Sequence, residues 1–227
     1  IAQTALADAE ITGLTDDSRK VSEGCLFICV KGGSFDGHSV AEQMLEKGAY
    51  AVIAERDLGL GDRQILVQNS REAYGRLCAA WFGHPEKKMR FIGVTGTNGK
   101  TTITSVIKRL LTASGKKVGL IGTIQNEIGD RVVHTENTTP FVFDLMKLYA
   151  QMAEEGCDYV VMEVSSFGLV QHRIGPTHFE TAVFTNLTQD HLDYHGDMEN
   201  YYQAKRMLFD VCDYAVINTD DEYGKRL

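Results

Sequence analysis

Residues 91–102 read Phe-Ile-Gly-Val-Thr-Gly-Thr-Asn-Gly-Lys-Thr-Thr and give the strongest indication of the fold. This stretch opens with an apolar run typical of a buried strand, and apolar residues at helical spacing follow it. Glycines between a strand and a helix let backbone N–H groups approach phosphate oxygens, and the helix N-terminus adds partial positive charge. The stretch therefore predicts a phosphate-binding loop. The predicted nucleotide-binding residues are Gly96, Thr97, Asn98, Gly99, Lys100, Thr101 and Thr102.

Two side chains of this loop have specific predicted roles. Lys100 is expected to reach the β- and γ-phosphates of ATP, and the Thr101 hydroxyl is expected to bind Mg²⁺. The general pattern has a glycine six residues before the lysine, where this chain has Val94. The alternative interpretation is a plain strand-to-helix turn without a ligand.

Apolar runs alternate with helical patterns on both sides of the loop. Such alternation predicts an α/β fold with a mostly parallel sheet covered on both faces. Strands are predicted at residues 26–30, 51–54, 65–67, 91–95, 118–121, 159–164, 182–185 and 214–217. One predicted helix begins near Ser70 as its N-cap and has Tyr74, Leu77, Cys78 and Trp81 on one face. The helix after the loop is predicted to have Ile103, Val106, Ile107, Leu110 and Leu111 on one face.

The polar segment of residues 84–88 contains one of only three prolines and is interpreted as a domain boundary. Residues 1–88 are predicted to form a small N-terminal α/β domain, and residues 89–227 a central domain that contains the phosphate loop. The chain has no initiator Met, and its last residues read as a helix that has just begun. We therefore expect the central domain to be truncated.

Composition excludes several classes of protein. The 227 residues have a net charge of −8, which disfavours a protein that coats nucleic acid. No apolar run reaches the roughly 18 residues that a membrane span needs, and the N-terminus lacks the pattern of a secretion signal. The five cysteines are scattered and are interpreted as small buried thiols in a reducing compartment. We expect a cytoplasmic protein with no nucleic-acid or membrane partner.

Two further segments place polar side chains at predicted strand ends, where open α/β sheets bind ligands. Glu163 ends one strand and is placed to hold Mg²⁺ or to position water; the alternative is a glutamate facing solvent. His191 follows another strand between Asp190 and Asp193, and imidazole and carboxylate groups both suit a divalent cation. The alternative there is a helix start that is capped by one of the two aspartates.

These motifs together resemble those of the Mur ligases. The resemblance covers the chain from about residue 12 to its end. It rests on Gly-Val-Thr-Gly-Thr-Asn-Gly-Lys-Thr-Thr (93–102), Asn-Thr-Thr-Pro (137–140), Glu-Val-Ser-Ser (163–166), Gln-His-Arg (171–173), Asn-Leu-Thr-Gln-Asp-His-Leu-Asp (186–193) and Ala-Lys (204–205). Asp-Ser-Arg (17–19) and the Asn-Thr-Thr-Pro block look most like the member that adds the third amino acid of the peptidoglycan stem peptide.

The resemblance implies an ATP-dependent ligase that forms a carbon–nitrogen bond. Its substrate would be UDP-N-acetylmuramoyl-L-Ala-D-Glu, phosphorylated to an acyl phosphate that the amine of an amino acid attacks. ATP and Mg²⁺ are the implied cofactors, and we expect a monomer. The family's C-terminal amino-acid-binding domain is expected to be absent, so the fragment alone should be inactive, and diaminopimelate and lysine both stay open as the added residue.

The resemblance also implies roles for individual residues. Lys100, Glu163, His191 and Lys205 would be catalytic, and Thr101, Glu163, His191 and a carbamylated Lys205 would bind metal. The muramoyl-dipeptide would contact Asn137, Thr138, Thr139, Ser165, Gln171 and Arg173, and the uridine end Ser18, Gly33, Ser34 and Phe35. Two positions depart from the family: Phe167 stands where a histidine is common, and Asp16 where a leucine is common.

Lys205 has a prediction of its own because it shares a helical face with Tyr201, Ala204 and Leu208. One account has its stem packed and its ammonium in water. The other has it buried near metal ions, where a neutral amine can add CO₂ to form a carbamate.

Two rival functions are a folylpolyglutamate synthase-like ligase, which has similar phosphate and metal motifs, and a non-catalytic nucleotide-binding module. The Asn-Thr-Thr-Pro block (137–140) disfavours the former, and the Asp190–His191 pair would have no role in the latter.

Overall fold

The computed structural model describes residues 9–33 and 35–227 and divides into two compact units, Ile1–Leu77 and Cys78–Leu227. This division falls inside a helix. The domain boundary at residue 88 stays a prediction, and each unit is described by itself.

The first unit is a four-stranded parallel sheet in the order β1-β2-β3-β4. Its core contains Phe27, Met44 and Val52, which are all buried. The strands are β1 Leu14–Thr15, β2 Leu26–Ile28, β3 Ala51–Ala54 and β4 Gln64–Leu66, and the helices are α1 Ala41–Glu46 and α2 Ser70–Trp81.

Helix α2 begins at Ser70, but Asn69 is its cap. The side-chain oxygen of Asn69 accepts hydrogen bonds from the backbone N–H groups of Arg71 (2.9 Å) and Glu72 (3.1 Å). The prediction of Ser70 as the N-cap was therefore wrong by one residue. The predicted apolar face of α2 is buried at Tyr74 but not at Trp81, which is 43% exposed at the end of the helix.

The second unit contains a seven-stranded sheet in the order β11-β10-β5-β9-β6-β7-β8. The five strands from β11 to β6 are parallel, as predicted, while β7 and β8 add an antiparallel hairpin at one edge that was not predicted. The strands are β5 Arg90–Thr95, β6 Val118–Ile121, β7 Asn126–Ile128, β8 Arg131–Val133, β9 Tyr159–Glu163, β10 Phe179–Phe184 and β11 Cys212–Ile217.

Helices connect the parallel strands of this sheet. Ile107 and Leu111 of the helix after the phosphate loop pack against the sheet, whereas Val106 and Leu110 are 47% and 66% exposed. The sheet therefore covers only part of the predicted apolar face. The helices are α3 Lys100–Ala113, α4 Val142–Glu154, α5 Ser166–Val170, α6 Leu192–His195 and α7 Met198–Arg206.

The predictions about membrane spans and cysteines concern the chain as a whole. Across the described part of the chain, no helix is both long enough and apolar enough to cross a membrane. All five cysteines are free thiols, and every one except Cys212 is buried, as expected.

Candidate active site

The phosphate loop joins β5 to α3 and needs glycine at two positions. Gly96 has φ 144°, and a Cβ built on it would lie 1.9 Å from the hydroxyl oxygen of Thr185. Gly99 has φ 85° and is the N-cap of α3, so no side chain caps this helix. The first helical hydrogen bond runs from Ile103 N to Gly99 O. The N–H groups of residues 100–102 are therefore left for another acceptor, which fits phosphate oxygens.

The ammonium of Lys100 lies inside this loop. Its Nζ donates to the carbonyl oxygens of Gly96 and Thr97, both at 2.9 Å. Burial lowers the pKa of Lys100, while the negative charges of Glu163 and Asp190 oppose that shift. A cation is thus held at the mouth of the loop, where a phosphate would bring compensating negative charge.

Glu163 ends β9 with its carboxylate turned inward, 1% exposed. Its Oε1 accepts from the Thr101 hydroxyl (3.0 Å) and from Thr123 N (2.9 Å), and its Oε2 accepts from the Thr123 hydroxyl (3.0 Å). The alternative of a solvent-facing glutamate is therefore wrong. Thr123 was not identified from the sequence, although a polar residue just after β6 was a usable signal.

Lys205 projects from α7 into the same region and is 2% exposed. Its Nζ donates to Gly96 O (2.9 Å) and lies 4.5 Å from the centroid of the Tyr201 ring. Burial lowers the pKa of Lys205 to about 7, the charge of Lys100 adds to the shift, and that of Asp190 opposes it. The account in which this ammonium reaches water is therefore wrong, because the side chain is buried and its Nζ donates to a loop carbonyl. Lys100 donates to the same carbonyl oxygen.

His191 precedes α6 in a left-handed conformation, with φ 53°. Its Nε2 is 3.5 Å from Asp190 Oδ2, and its ring lies 5.1 Å from Phe167 and 6.1 Å from Tyr201, centroid to centroid. No side chain caps α6, so the capped-helix alternative is not supported.

The donor set for a metal can be tested on these contacts. Among the described residues, no group of three or more His, Cys, Asp or Glu side chains is arranged to hold an ion. The adjacent oxygens of Thr101 and Glu163 suit Mg²⁺, which commonly takes one or two protein oxygens and completes its shell with phosphate and water. The residues present therefore fit a magnesium ion that arrives with a nucleotide.

The residues predicted to hold the muramoyl-dipeptide lie beside Glu163. The buried Thr139 hydroxyl donates to Glu163 O (3.1 Å) and accepts from Ser165 N (3.0 Å). Arg173 donates from Nη1 to Thr139 O (3.0 Å) and from Nε and Nη2 to Gln171 Oε1 (3.0 and 2.8 Å). The other two predicted residues are Thr138, whose hydroxyl is 3.0 Å from that of Thr123, and Asn137, whose carbonyl accepts from the Thr135 hydroxyl at 2.8 Å.

The residues predicted to contact uridine lie in the first unit. Ser18 follows β1 in a turn that the Asp17–Arg19 ion pair closes. Gly33 and the half-exposed Phe35 belong to a loop closed by the hydrogen bond from Gly32 N to Phe35 O (2.7 Å). Ser34 lies outside the described residues.

His195, a buried histidine of the second unit, was not predicted from the sequence as a site residue. Its Nε2 lies 2.9 Å from the Ser166 hydroxyl, and the His195 ring stacks on Tyr201 with centroids 4.9 Å apart. Burial lowers the pKa of His195, as does the charge of Lys205. Phe167, one of the two positions at which the sequence departs from the family resemblance, packs against Tyr194 with ring centroids 4.3 Å apart.

Comparisons with known proteins identify relatives that share much of this sequence. The UDP-N-acetylmuramoyl-L-alanyl-D-glutamate--2,6-diaminopimelate ligase of Geobacillus thermodenitrificans is 48% identical over 221 residues, 93% of this chain and 45% of the relative. The ligase of the same name from Aquifex aeolicus is 43% identical and matches 96% of this chain and 45% of its own length. The chain thus spans about 45% of the length of these relatives.

Solved structures and family profiles give the same picture. A structure of a ligase of that name superposes with a TM-score of 0.81 at 35% identity, over 95% of this chain and 45% of the other. The MurF ligase of Thermotoga maritima, solved in complex with ADP, superposes with a TM-score of 0.51 at 25% identity. The superposition covers 86% of this chain and 42% of the other. The profile described as the Mur ligase family catalytic domain matches residues 10–82, and the Mur ligase middle domain matches residues 94–227. Since the middle-domain match alone covers more than half of the sequence and contains the phosphate loop, the carboxylate and the buried lysine, this chain belongs to the Mur ligase family.

Proposed function

We propose that these residues are the substrate- and ATP-binding part of a ligase that adds the third amino acid to UDP-N-acetylmuramoyl-L-Ala-D-Glu. The convergence of Lys100 and Lys205 on Gly96 O, beside the Glu163 carboxylate, is the observation that carries the proposal. The relatives are named as 2,6-diaminopimelate ligases, which supports diaminopimelate as the incoming amino acid. The same matches support a peptidoglycan ligase over a folylpolyglutamate synthase.

The chemistry requires activation of a carboxylate. At neutral pH an amine does not displace oxygen from a carboxylate, so the γ-phosphoryl group of ATP is transferred to it first and inorganic phosphate leaves as the amide forms. Lys100 would neutralise charge on the transferring group, as would the N–H groups at the start of α3. Mg²⁺, when bound through Thr101 and Glu163, would add positive charge at the phosphates.

Lys205 is proposed to carry a carbamate and, with His191, to hold a second cation. A pKa near 7 leaves a substantial fraction of neutral amine at neutral pH. That amine attacks CO₂, a nitrogen–carbon bond forms and a proton is released. The product is an anion with two oxygens in place of a buried cation.

The two groups of binding residues complete the proposal. Arg173 is held in place by Gln171 and Thr139, which supports a role in fixing a carboxylate or amide of the dipeptide. Asn137, Thr138 and Ser165 would contact the same part, and Ser18, Gly33, Ser34 and Phe35 the uridine end. We also propose that the enzyme is cytoplasmic and monomeric; sedimentation of the whole protein tests the oligomeric state, and cell fractionation tests the location.

The decisive experiment is calorimetric titration of the whole enzyme and its Lys100→Met variant with Mg-ATP. The methionine keeps the apolar stem but removes the charge, so we expect affinity to fall at least about 10-fold while the melting temperature changes little. Thermal-shift measurements with UDP-N-acetylmuramoyl-dipeptide and with a folate separate the two ligase hypotheses. Equal Mg-ATP affinity in both proteins, or stabilisation by folate alone, would contradict the proposal.

A further inference from the structure

The segment of residues 185–188 follows β10 and forms hydrogen bonds to the backbone of the phosphate loop. The Thr185 hydroxyl donates to Asn98 O at 2.6 Å. Thr97 N donates to Asn186 O (2.9 Å), and Thr188 N donates to the Thr97 hydroxyl (3.0 Å). The Asn98 side chain adds a bond from Nδ2 to the Thr188 hydroxyl at 3.3 Å. Two consecutive loop residues are thus bonded to one neighbouring segment.

The amide of Asn186 makes the most specific of these contacts. Its Oδ1 accepts from Asn98 N at 3.0 Å, and its Nδ2 donates to Asn98 O at 3.1 Å. One side chain therefore satisfies both backbone groups of one exposed loop residue. Only a side chain that has both a donor and an acceptor at this length can do so.

This pairing decides which loop donors remain for a ligand. The N–H groups of Thr97 and Asn98 are both used by the segment, so they do not face a phosphate. The donors left over include the N–H groups at the uncapped start of α3, from Lys100 onward. The loop's affinity for phosphate then depends on holding Asn98 in the orientation that aims the helix start at the ligand.

We propose that Asn186 is a positioning residue for the triphosphate of the nucleotide, acting through the Asn98 peptide. This inference rests on the proposed function, since it assumes that the loop binds a nucleoside triphosphate. A loop that is fixed before binding loses less conformational freedom when the ligand arrives, which favours affinity. Asn186 binds the backbone of Asn98 and not the nucleotide, so it contributes by orienting the loop.

The first test needs no ligand and measures amide hydrogen exchange of the whole protein at single-residue resolution. In the parent we expect the Asn98 amide to be protected although the residue is exposed, because Asn186 Oδ1 accepts from it. In Asn186→Ala that protection should fall at least about 10-fold, the scale of one lost hydrogen bond. The Thr97 amide should keep its protection because its acceptor is the backbone oxygen of residue 186. Equal protection of Asn98 in both proteins would overturn the inference.

The second test measures steady-state kinetics of the whole enzyme. Asn186→Ala should raise the KM for ATP about 10-fold, whereas the KM for the UDP-linked substrate should not change. Thr188→Val removes one longer contact and should have a smaller effect, and Asn200→Ala, at an exposed position of α7, is the matched control. Retained cooperative melting shows that each variant is folded. A parent that fails to bind ATP would refute the proposed function, whereas a parent that binds ATP as tightly as Asn186→Ala would refute only the role of Asn186.

Discussion

At the scale of single residues, Lys205 combines features that rarely occur together in a lysine. It is almost fully buried, its Nζ donates to Gly96 O, and burial lowers its pKa to about 7. We expect Lys205→Ala in the whole enzyme to slow turnover about 100-fold or more, on the scale of one lost electrostatic partner of a transferring group. Short carboxylates added to the assay should restore part of the rate because they supply the missing oxygens. Full activity of the variant in a coupled phosphate-release assay would contradict the carbamate.

Asp36 gives a residue-scale prediction about pH. The hydrogen bond from the His38 ring lowers the pKa of Asp36 to about 2, and Arg56 adds a second contact at 3.0 Å. A carboxyl group whose pKa is lower in the folded state stabilises the fold above its unfolded pKa of 3.8, and this contribution is lost as the pH falls from about 4 towards 2. Because water screens the partly exposed group, we expect Asp36→Asn to cost about 1 kcal/mol at pH 7.

Urea unfolding at pH 7 and at pH 3 measures this difference. Asp62→Asn, at an exposed position of the same unit, is the control and should have little effect at either pH. A stability difference between Asp36→Asn and the parent that stayed the same from pH 7 to pH 3 would rule out the linkage.

A site residue could be predicted from the sequence when its side chain is charged and stands in an otherwise apolar pattern. Glu163 and Lys205 could be singled out because a charged residue in an apolar pattern is unusual. Asn186 and Thr123 could not, because their roles arise from backbone groups that come within hydrogen-bond distance only after folding. Polar residues just after strand ends were the available signal, and that signal does not reveal which loop they will bind.

At the scale of elements, β5 is packed too tightly for any side chain at one position. A Cβ built on Gly93 would lie 2.8 Å from two ring carbons of Phe179 and 3.2 Å from Leu208. Gly93→Ala should therefore lower the free energy of unfolding by about 1–3 kcal/mol. Gly13→Ala is a matched control since its Cβ would make only an ordinary 3.7 Å contact with Cys25. Unfolding in urea of both variants tests this, and equal stabilities would show that β5 and β10 adjust freely.

Strands and helices were predictable from the sequence where the apolar pattern extended over enough residues to be recognised. Each predicted strand of the second unit overlaps an observed one, because few polar residues interrupt its apolar run. This holds for the buried central strands and also for β11, where Tyr214 and Val216 are exposed. The pair β7 and β8 has only three residues in each strand, which is too short for a period to show. Val106 and Leu110 share the predicted apolar face with Ile107 and Leu111, but the sheet covers only a narrower part of that face.

At the scale of the whole molecule, one rule of parallel sheets accounts for most of the site. In the order β10-β5-β9-β6, four neighbouring strands end on the same edge of the sheet. After these strands come the phosphate loop, Glu163, Thr123 and Asn186. Residues far apart in the chain thus become hydrogen-bond partners, and each hairpin or helix between them serves to return the chain to that edge.

The 227 residues can also be tested as an isolated polypeptide. They correspond to about 45% of the length of the related ligases, and they contain all the residues proposed to hold the UDP-linked substrate and the phosphates. The site for the incoming amino acid, by the family resemblance, lies in a further domain of those longer proteins. We therefore expect UDP-N-acetylmuramoyl-dipeptide to raise the melting temperature of the isolated polypeptide.

Amide formation should nevertheless be undetectable when ATP and diaminopimelate are added, because, by the family resemblance, the residues that orient the attacking amine lie in that further domain. Tyr214 and Val216 on β11 are 67% and 56% exposed, so the polypeptide should also associate at high concentration, which sedimentation can follow. The whole enzyme, assayed in parallel, is the positive control. Turnover by the isolated polypeptide at a rate near that of the whole enzyme would mean that residues 1–227 contain the amine site, and the division of labour inferred from the family would then be wrong.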